Sequence, residues 1–106
     1  ISASGLNDGE YNFANNKIKK ENNSVKISSN GTLAGSIVTM DQTFKNLISM
    51  DFSLEEAVSL TSYNASRYLK INNVGVIDKN YISNFVVLDK NLNLKEVYLN
   101  GKKIDG

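Results

Sequence analysis

Gly31-Thr32-Leu33-Ala34-Gly35-Ser36 runs directly into Ile37-Val38-Thr39-Met40-Asp41-Gln42-Thr43-Phe44, and within this stretch the chain changes its period. From Thr39 onward, Met40, Phe44, Leu47 and Ile48 stand at i, i+4, i+7 and i+8, which places them on one stripe of a helix. Thr39 and Gln42 have the spacing of a capping box at its start. Ahead of the stretch the period is two. Tyr11 and Phe13 alternate with Glu10 and Asn12, and Ile18, then Val25 and Ile27, continue the alternation. Gly5-Leu6-Asn7-Asp8-Gly9, Asn15-Asn16, Asn22-Asn23 and Asn30-Gly31 are turn signals between these runs, so residues 1–36 are predicted to form a small meander.

Beyond the first helix, Ser53-Leu54-Glu55-Glu56 is a second capping box, opening a helix whose Leu54, Ala57, Val58 and Leu60 are expected to face inward. Asn64 is placed to cap a short third helix, Ala65 to Leu69. After Asn72-Asn73 the β pattern returns as Val74 to Ile77, Phe85 to Leu88 and Leu94 to Leu99, with Asn100-Gly101 as a type I′ hairpin turn. The fold class is therefore α+β: short strands, a helical pair, then a C-terminal β-hairpin. We read residues 1–106 as a single unit without internal repeats. Sheets this small usually pair with something else.

Composition removes whole classes of chemistry. The 106 residues include no proline, cysteine, histidine or tryptophan. This excludes disulfides, thiolate nucleophiles, imidazole ligands and Ser-His-Asp relays from the chain itself. Twelve Lys+Arg against 11 Asp+Glu leave a net charge of +1, too little field to attract nucleic acid or an anionic membrane. Only Arg67 among the cations offers a bidentate fork. No apolar run has the length, about 20 residues, that crosses a bilayer, and Ile1-Ser2-Ala3-Ser4 does not look like a signal peptide. The start without Met suggests a piece of a longer protein, and the expected compartment is cytoplasmic.

Several residues invite a functional reading. Asp8 and Glu10 are two apart, the spacing of a carboxylate pair on one strand face, although beside Gly9 solvated carboxylates or an Asx-turn explain them as well. Glu55 and Glu56 complement a helix N-terminus and need no chemistry. Arg67 near a helix end is expected to satisfy the last carbonyls. Lys17, Lys19, Lys20 and Lys26 read as a solvated strand face. The small residues of Gly31 to Ser36 let backbone approach a ligand closely, without the Gly-Lys-Ser/Thr ending of a phosphate loop. An inter-element turn is the alternative there.

Three blocks resemble the end of the N-acetylglucosamine-6-phosphate deacetylase family, within the amidohydrolase superfamily. Gly5-Leu6-Asn7-Asp8-Gly9-Glu10-Tyr11 is similar to its G-L-x-D-G-x-Y. Gly31 to Ser36, with Thr39-Met40-Asp41-Gln42 and Asn46-Leu47, resembles G-T-L-A-G-S, T-M-D and N-L. The third block runs from Ser53-Leu54-Glu55-Glu56-Ala57 through Ser62, Asn64 and Arg67 to Gly75-Val76-Ile77 and Val86-Val87-Leu88-Asp89, a pattern shared by many amidohydrolases. Ala65 stands where that pattern has Pro, and Asn80 where it has Gly; both are structural positions.

The resemblance implies a (β/α)8 barrel plus a small β-sandwich built from both chain ends. Residues 1–36 would be a post-barrel loop with sandwich strands, 37–71 the closing helices and 72–106 the C-terminal sandwich strands. It implies hydrolysis of the acetamide of N-acetylglucosamine 6-phosphate to glucosamine 6-phosphate and acetate, with a divalent metal, zinc or iron, in the full-length parent. The metal ligands and catalytic Asp would lie upstream, leaving no cofactor and no catalytic residue in this chain, which alone would be inactive. Partners would be the remainder of the parent chain, the sugar phosphate and a second copy in a homo-oligomer. Leu33, Ala34 and Gly35 would line the substrate site. The reading set against this one is a free-standing structural or interaction module that uses its open sheet edges.

Overall fold

The computed structural model describes residues 1–105. It is an α+β chain with two three-stranded antiparallel sheets, one on each side of the helices in sequence. Two compact units result, Ile1–Thr39 and a second beginning at Met40.

In the first unit β1 (Gly9–Phe13), β2 (Asn16–Glu21) and β3 (Ser24–Ile27) form the expected meander. Its turns are made by asparagine, with Asn22 and Asn23 at φ 47° and 60°. The first turn sits one residue earlier than the Asn15-Asn16 signal, since Ala14 and Asn15 have the positive φ values, 45° and 65°, and Asn16 opens β2. Ile18 pairs with Ile27 and Lys20 with Val25, so the alternation sends Ile18 and Val25 to one face. There they are fully buried with Ala3, and Ile1, Tyr11, Ala34 and Ile37 pack around them. Burying side chains of this size stabilises by about 1.5–3 kcal/mol each. The opposite face carries Glu10 across from Lys19 and Lys19 across from Lys26. Lys20 departs from the solvated lysine face: the strand period places it on the core side, where its ammonium donates to the Leu6 carbonyl.

The second unit opens with α1 (Met40–Ser49), starting directly after Thr39 as its box predicts. Phe44, Leu47 and Ile48 are half-buried on its stripe, whereas Met40 at the first position is exposed. Ser53 closes the second capping box: its Oγ accepts from the Glu56 N–H at 3.1 Å, and its own N–H donates to Glu56 Oε2 at 2.8 Å.

The helix that follows differs from the expectation. α2 (Leu54–Val58) passes through a π-turn (Ser59–Tyr63) into α3 (Asn64–Tyr68), and Asn64 has helical φ and ψ of −61° and −40°. Asn64 therefore caps nothing, and the second and third helices are continuous. The π-turn also shifts the helical phase. Ala57 and Ser66, nine positions apart, would stand about two and a half turns apart on a uniform helix and face opposite sides. With the wider turn between them both are buried. Leu54, Val58 and Leu60, expected to point inward, remain exposed.

No strand forms at Val74 to Ile77. The backbone leading into it is fixed as a loop: Arg67 donates to the carbonyls of Ile71 (3.1 Å), Asn72 (3.5 Å) and Val74 (2.8 Å), and the Ile82 N–H donates to Asn73 O at 2.8 Å. Arg67 thus gathers carbonyls beyond its helix rather than those of the last turn. Gly75 follows at φ +85°, against the helix.

β4 (Phe85–Leu88) and β5 (Leu94–Leu99) match their predicted spans. β6 (Lys102–Ile104) makes the end a three-stranded sheet, in place of the expected hairpin alone, ordered β4-β5-β6. Asn100 and Gly101 have φ of 51° and 75°, the two positive values that a type I′ turn demands. The β4–β5 turn is organised by Asp89, whose Oδ1 accepts from the Asn91 and Asn93 N–H groups at 2.8 and 2.9 Å.

Gly75 tests this account of the helix and its following loop. A Cβ there would stand 2.6 Å from Ser66 Oγ and 3.4 Å from Tyr63 Cα. Gly75→Ala should therefore lower stability by at least the roughly 1–2 kcal/mol of an unfavourable left-handed residue, with the collision added. Thermal melts of Gly75→Ala and Ser66→Ala/Gly75→Ala should show the double variant losing less than the sum of the two single losses.

Candidate functional site

Leu33, Ala34 and Gly35 lie in an extended strip held against the edge of β3. The Ile27 N–H donates to Thr32 O and the Ala34 N–H to Val25 O, each at 2.8 Å, and Leu33 stands opposite Lys26. The strip is fastened further along by Ser4, whose Oγ donates to Ile37 O at 2.8 Å. Nothing in the hydrophobic pattern marks Ser4, because its role comes from a contact 33 positions away. Ala34 turns toward the buried Ile18 and Val25 group, while Leu33 is 67% exposed. Gly35 has φ +152°, a backbone setting that L-residues rarely adopt, and a Cβ there would touch only Ile1, at 3.5 and 3.8 Å.

The strip thus presents a small, open surface with a rigid backing. It is not a closed pocket. Two shallow surface depressions have other linings, one with Val76, Ile77, Tyr81 and Phe85 and one with Glu10, Tyr11, Asn12 and Lys17.

The other sequence candidates separate from this strip or satisfy themselves. Asp8 lies in the bend before β1 and accepts from the Asn22 N–H at 3.4 Å, whereas Glu10 lies within β1 opposite Lys19, so the two carboxylates do not work as a pair. Glu56 is consumed by the Ser53 cap. Arg67 is committed to backbone carbonyls and stands 5.2 Å over the Tyr63 ring. Among the described residues no cluster of three or more carboxylates could hold a metal ion, and the sequence supplies no His or Cys.

One linked set of titratable groups lies on the C-terminal sheet. Glu96 accepts from Lys103 at 2.7 Å and from the Tyr98 hydroxyl at 2.8 Å, and Phe85 stacks on Tyr98 with ring centroids 4.6 Å apart. The Lys103 hydrogen bond, followed by that of Tyr98, holds the Glu96 carboxyl below its usual range. The same bonds raise Lys103 and Tyr98. Each member answers another, and the set reads as structural.

The chain matches the amidohydrolase family over residues 12–104. It belongs to that family. This amidohydrolase is 36% identical over 103 residues to N-acetylglucosamine-6-phosphate deacetylase from Lysinibacillus sphaericus, covering 96% of the chain and 26% of the relative. It is 25% identical over 104 residues to N-acetylgalactosamine-6-phosphate deacetylase from Escherichia coli O157:H7, covering 96% of the chain and 27% of that relative. Among solved structures, N-acetylglucosamine-6-phosphate deacetylase from Thermotoga maritima superposes with a TM-score of 0.84 at 30% identity, covering 97% of the chain and 28% of that structure. The amidohydrolase chain therefore spans about a quarter of the length of these relatives. They do not favour the reading as a free-standing module. Among the described residues no helix is long and apolar enough to cross a membrane.

The titratable set gives a signed expectation. A carboxyl lowered in the folded state contributes stability that is present above its unfolded pKa and lost as pH falls through the folded one. The raised Lys103 and Tyr98 contribute stability that is complete below their unfolded pKa values and lost as pH rises through the folded ones. Chemical denaturation of wild type and Glu96→Gln across pH should show their difference largest near neutrality. It should shrink in acid below the carboxylate range and again in strong base.

Proposed function

We propose that this chain is part of an enzyme that hydrolyses the acetamide of N-acetylglucosamine 6-phosphate, and that Leu33, Ala34 and Gly35 line the acetyl end of its substrate site. What supports the reading most directly is the strip itself: a backbone of small residues, pinned by Ala34 to β3, with Gly35 at φ +152° and its outer side open. Such a surface suits an acetamide, which offers a methyl to pack and an amide to hydrogen-bond. The relatedness to amino-sugar phosphate deacetylases supplies the substrate class.

In this reading the strip orients the acetyl group and brings no proton carrier of its own. Among the described residues no group of three or more carboxylates stands ready to hold a divalent metal. The zinc or iron, the base and the barrel that holds them belong to the remainder of the parent protein, and this chain by itself does not catalyse. The C-terminal sheet supplies one part of a β-sandwich completed by that remainder. The working enzyme is cytoplasmic and forms a homo-oligomer.

The test is made in the full-length enzyme. Gly35→Val sets a branched side chain against Ile1, at a φ that disfavours it, and so shifts the backbone that the substrate would approach. It should lower kcat/KM per folded molecule roughly 10- to 200-fold. Gly101→Ala, in the C-terminal hairpin at φ +75°, should lower thermal stability and leave activity per folded molecule unchanged. If Gly35→Val costs stability alone, the strip is only a connection between β3 and α1.

A further inference from the structure

Two asparagines precede glycine in this chain, Asn30 before Gly31 and Asn100 before Gly101, and the fold treats them differently. A glycine after asparagine leaves its amide nitrogen unhindered by a Cβ, so that nitrogen can reach the preceding carboxamide carbon. At Asn30 the carboxamide is held for that encounter. Its Oδ1 accepts the Thr32 N–H at 3.0 Å, which brings the side chain back over the Gly31 peptide and polarises the carbonyl. A donor in that position also serves the oxygen that becomes negative when the carbon is attacked. The turn is exposed from Ser28 to Thr32, and the Gly31 N–H is tied only locally, to Ile27 O four residues back at 2.8 Å.

Asn100 lacks this arrangement. Its turn is fastened to a distant segment by both flanking amides: the Asn100 N–H donates to Asn84 Oδ1 and the Gly101 N–H to Ser83 O, each at 2.9 Å. Freeing the attacking nitrogen there means detaching the hairpin tip from residues 83–84. At Asn30 it means opening one exposed turn, and local openings of exposed turns are the least costly.

We propose that Asn30 is a site of spontaneous backbone-assisted deamidation, favoured by the fold over Asn100. The Gly31 nitrogen loses its proton to hydroxide and bonds to Asn30 Cγ. Water returns a proton to Nδ2, the Cγ–Nδ2 bond breaks and ammonia leaves, closing a succinimide and regenerating hydroxide. Water then opens the ring at either carbonyl, giving aspartate or isoaspartate. Isoaspartate threads the main chain through the former side chain, one carbon longer, immediately before the ladder bonds that hold Leu33 to Gly35. On the reading of that strip as a substrate wall, the change would misplace it. The chemistry at Asn30 does not depend on that reading.

The protein is incubated at mildly alkaline pH, digested, and its Asn30 and Asn100 peptides are followed by mass and by isoaspartyl methyltransferase labelling. A parallel sample is held in denaturant. Without structure both Asn-Gly pairs should react at similar rates. In the folded sample the Asn30 peptide should convert about tenfold faster than the Asn100 peptide, the ratio that roughly one ordinary hydrogen bond corresponds to. Circular dichroism of the incubated sample establishes that it is folded. Equal conversion in the folded sample, or faster conversion at Asn100, overturns the proposal. Activity of the full-length enzyme is read separately: lost activity that tracks isoaspartate supports the substrate wall, and conversion at Asn30 with activity retained counts against the wall alone.

Discussion

Ala3, Ile18, Val25 and Ala57 are the fully buried apolar side chains among the described residues, and this scarcity shapes everything else in the chain. A core so thin leaves much of the segment geometry to bonds between polar side chains and backbone. Arg67 shows the pattern most fully. Its guanidinium collects three carbonyls that would otherwise lie open, and so turns residues 71–75 into a fixed loop. Asp89 does the same for the β4–β5 turn, Ser53 with Glu56 for a helix start, and Ser4 for the strip after Leu33. Single hydrogen bonds contribute only about 0.5–1.5 kcal/mol net, but they fix direction, which thin apolar packing cannot.

The sequence was most legible where conformation is decided locally. Asn22-Asn23 and Asn100-Gly101 announce positive φ through residues that tolerate it, and both turns form there. Ser53 and Glu56 announce a helix start for the same reason. The short runs Phe85 to Leu88 and Leu94 to Leu99 were likewise readable to the residue. Legibility failed where a distant group intervenes. Val76 and Ile77 look like strand, yet a guanidinium from the preceding helix claims the carbonyls beside them. Asn64 looks like a cap, yet the π-turn carries the helix through it, and no side-chain preference distinguishes a π-turn from an α-turn. Lys20 shares the charge of its neighbours and differs only in the face to which register assigns it.

The candidate site was half legible. Small residues at Leu33 to Gly35 predict a surface that backbone can approach, and the strip has that form. Its orientation against β3 rests on ladder bonds from Val25 and Ile27 that composition does not reveal. Leu33, Ala34 and Gly35 carry no titratable side chain, so the strip offers backbone and apolar surface alone.

The C-terminal sheet ends differently on its two sides. β6 is three residues long, and two of them are lysines. β4 reads Phe85-Val86-Val87-Leu88, with no charge along its length. Short, charged margins resist further strand pairing, while apolar ones accept it. The sheet therefore has a polarity of growth: another strand can extend it beside β4, and the lysine margin discourages extension beside β6. A ribbon with one receptive side favours a neighbour there over one at its charged margin, which opposes growth from both sides at once.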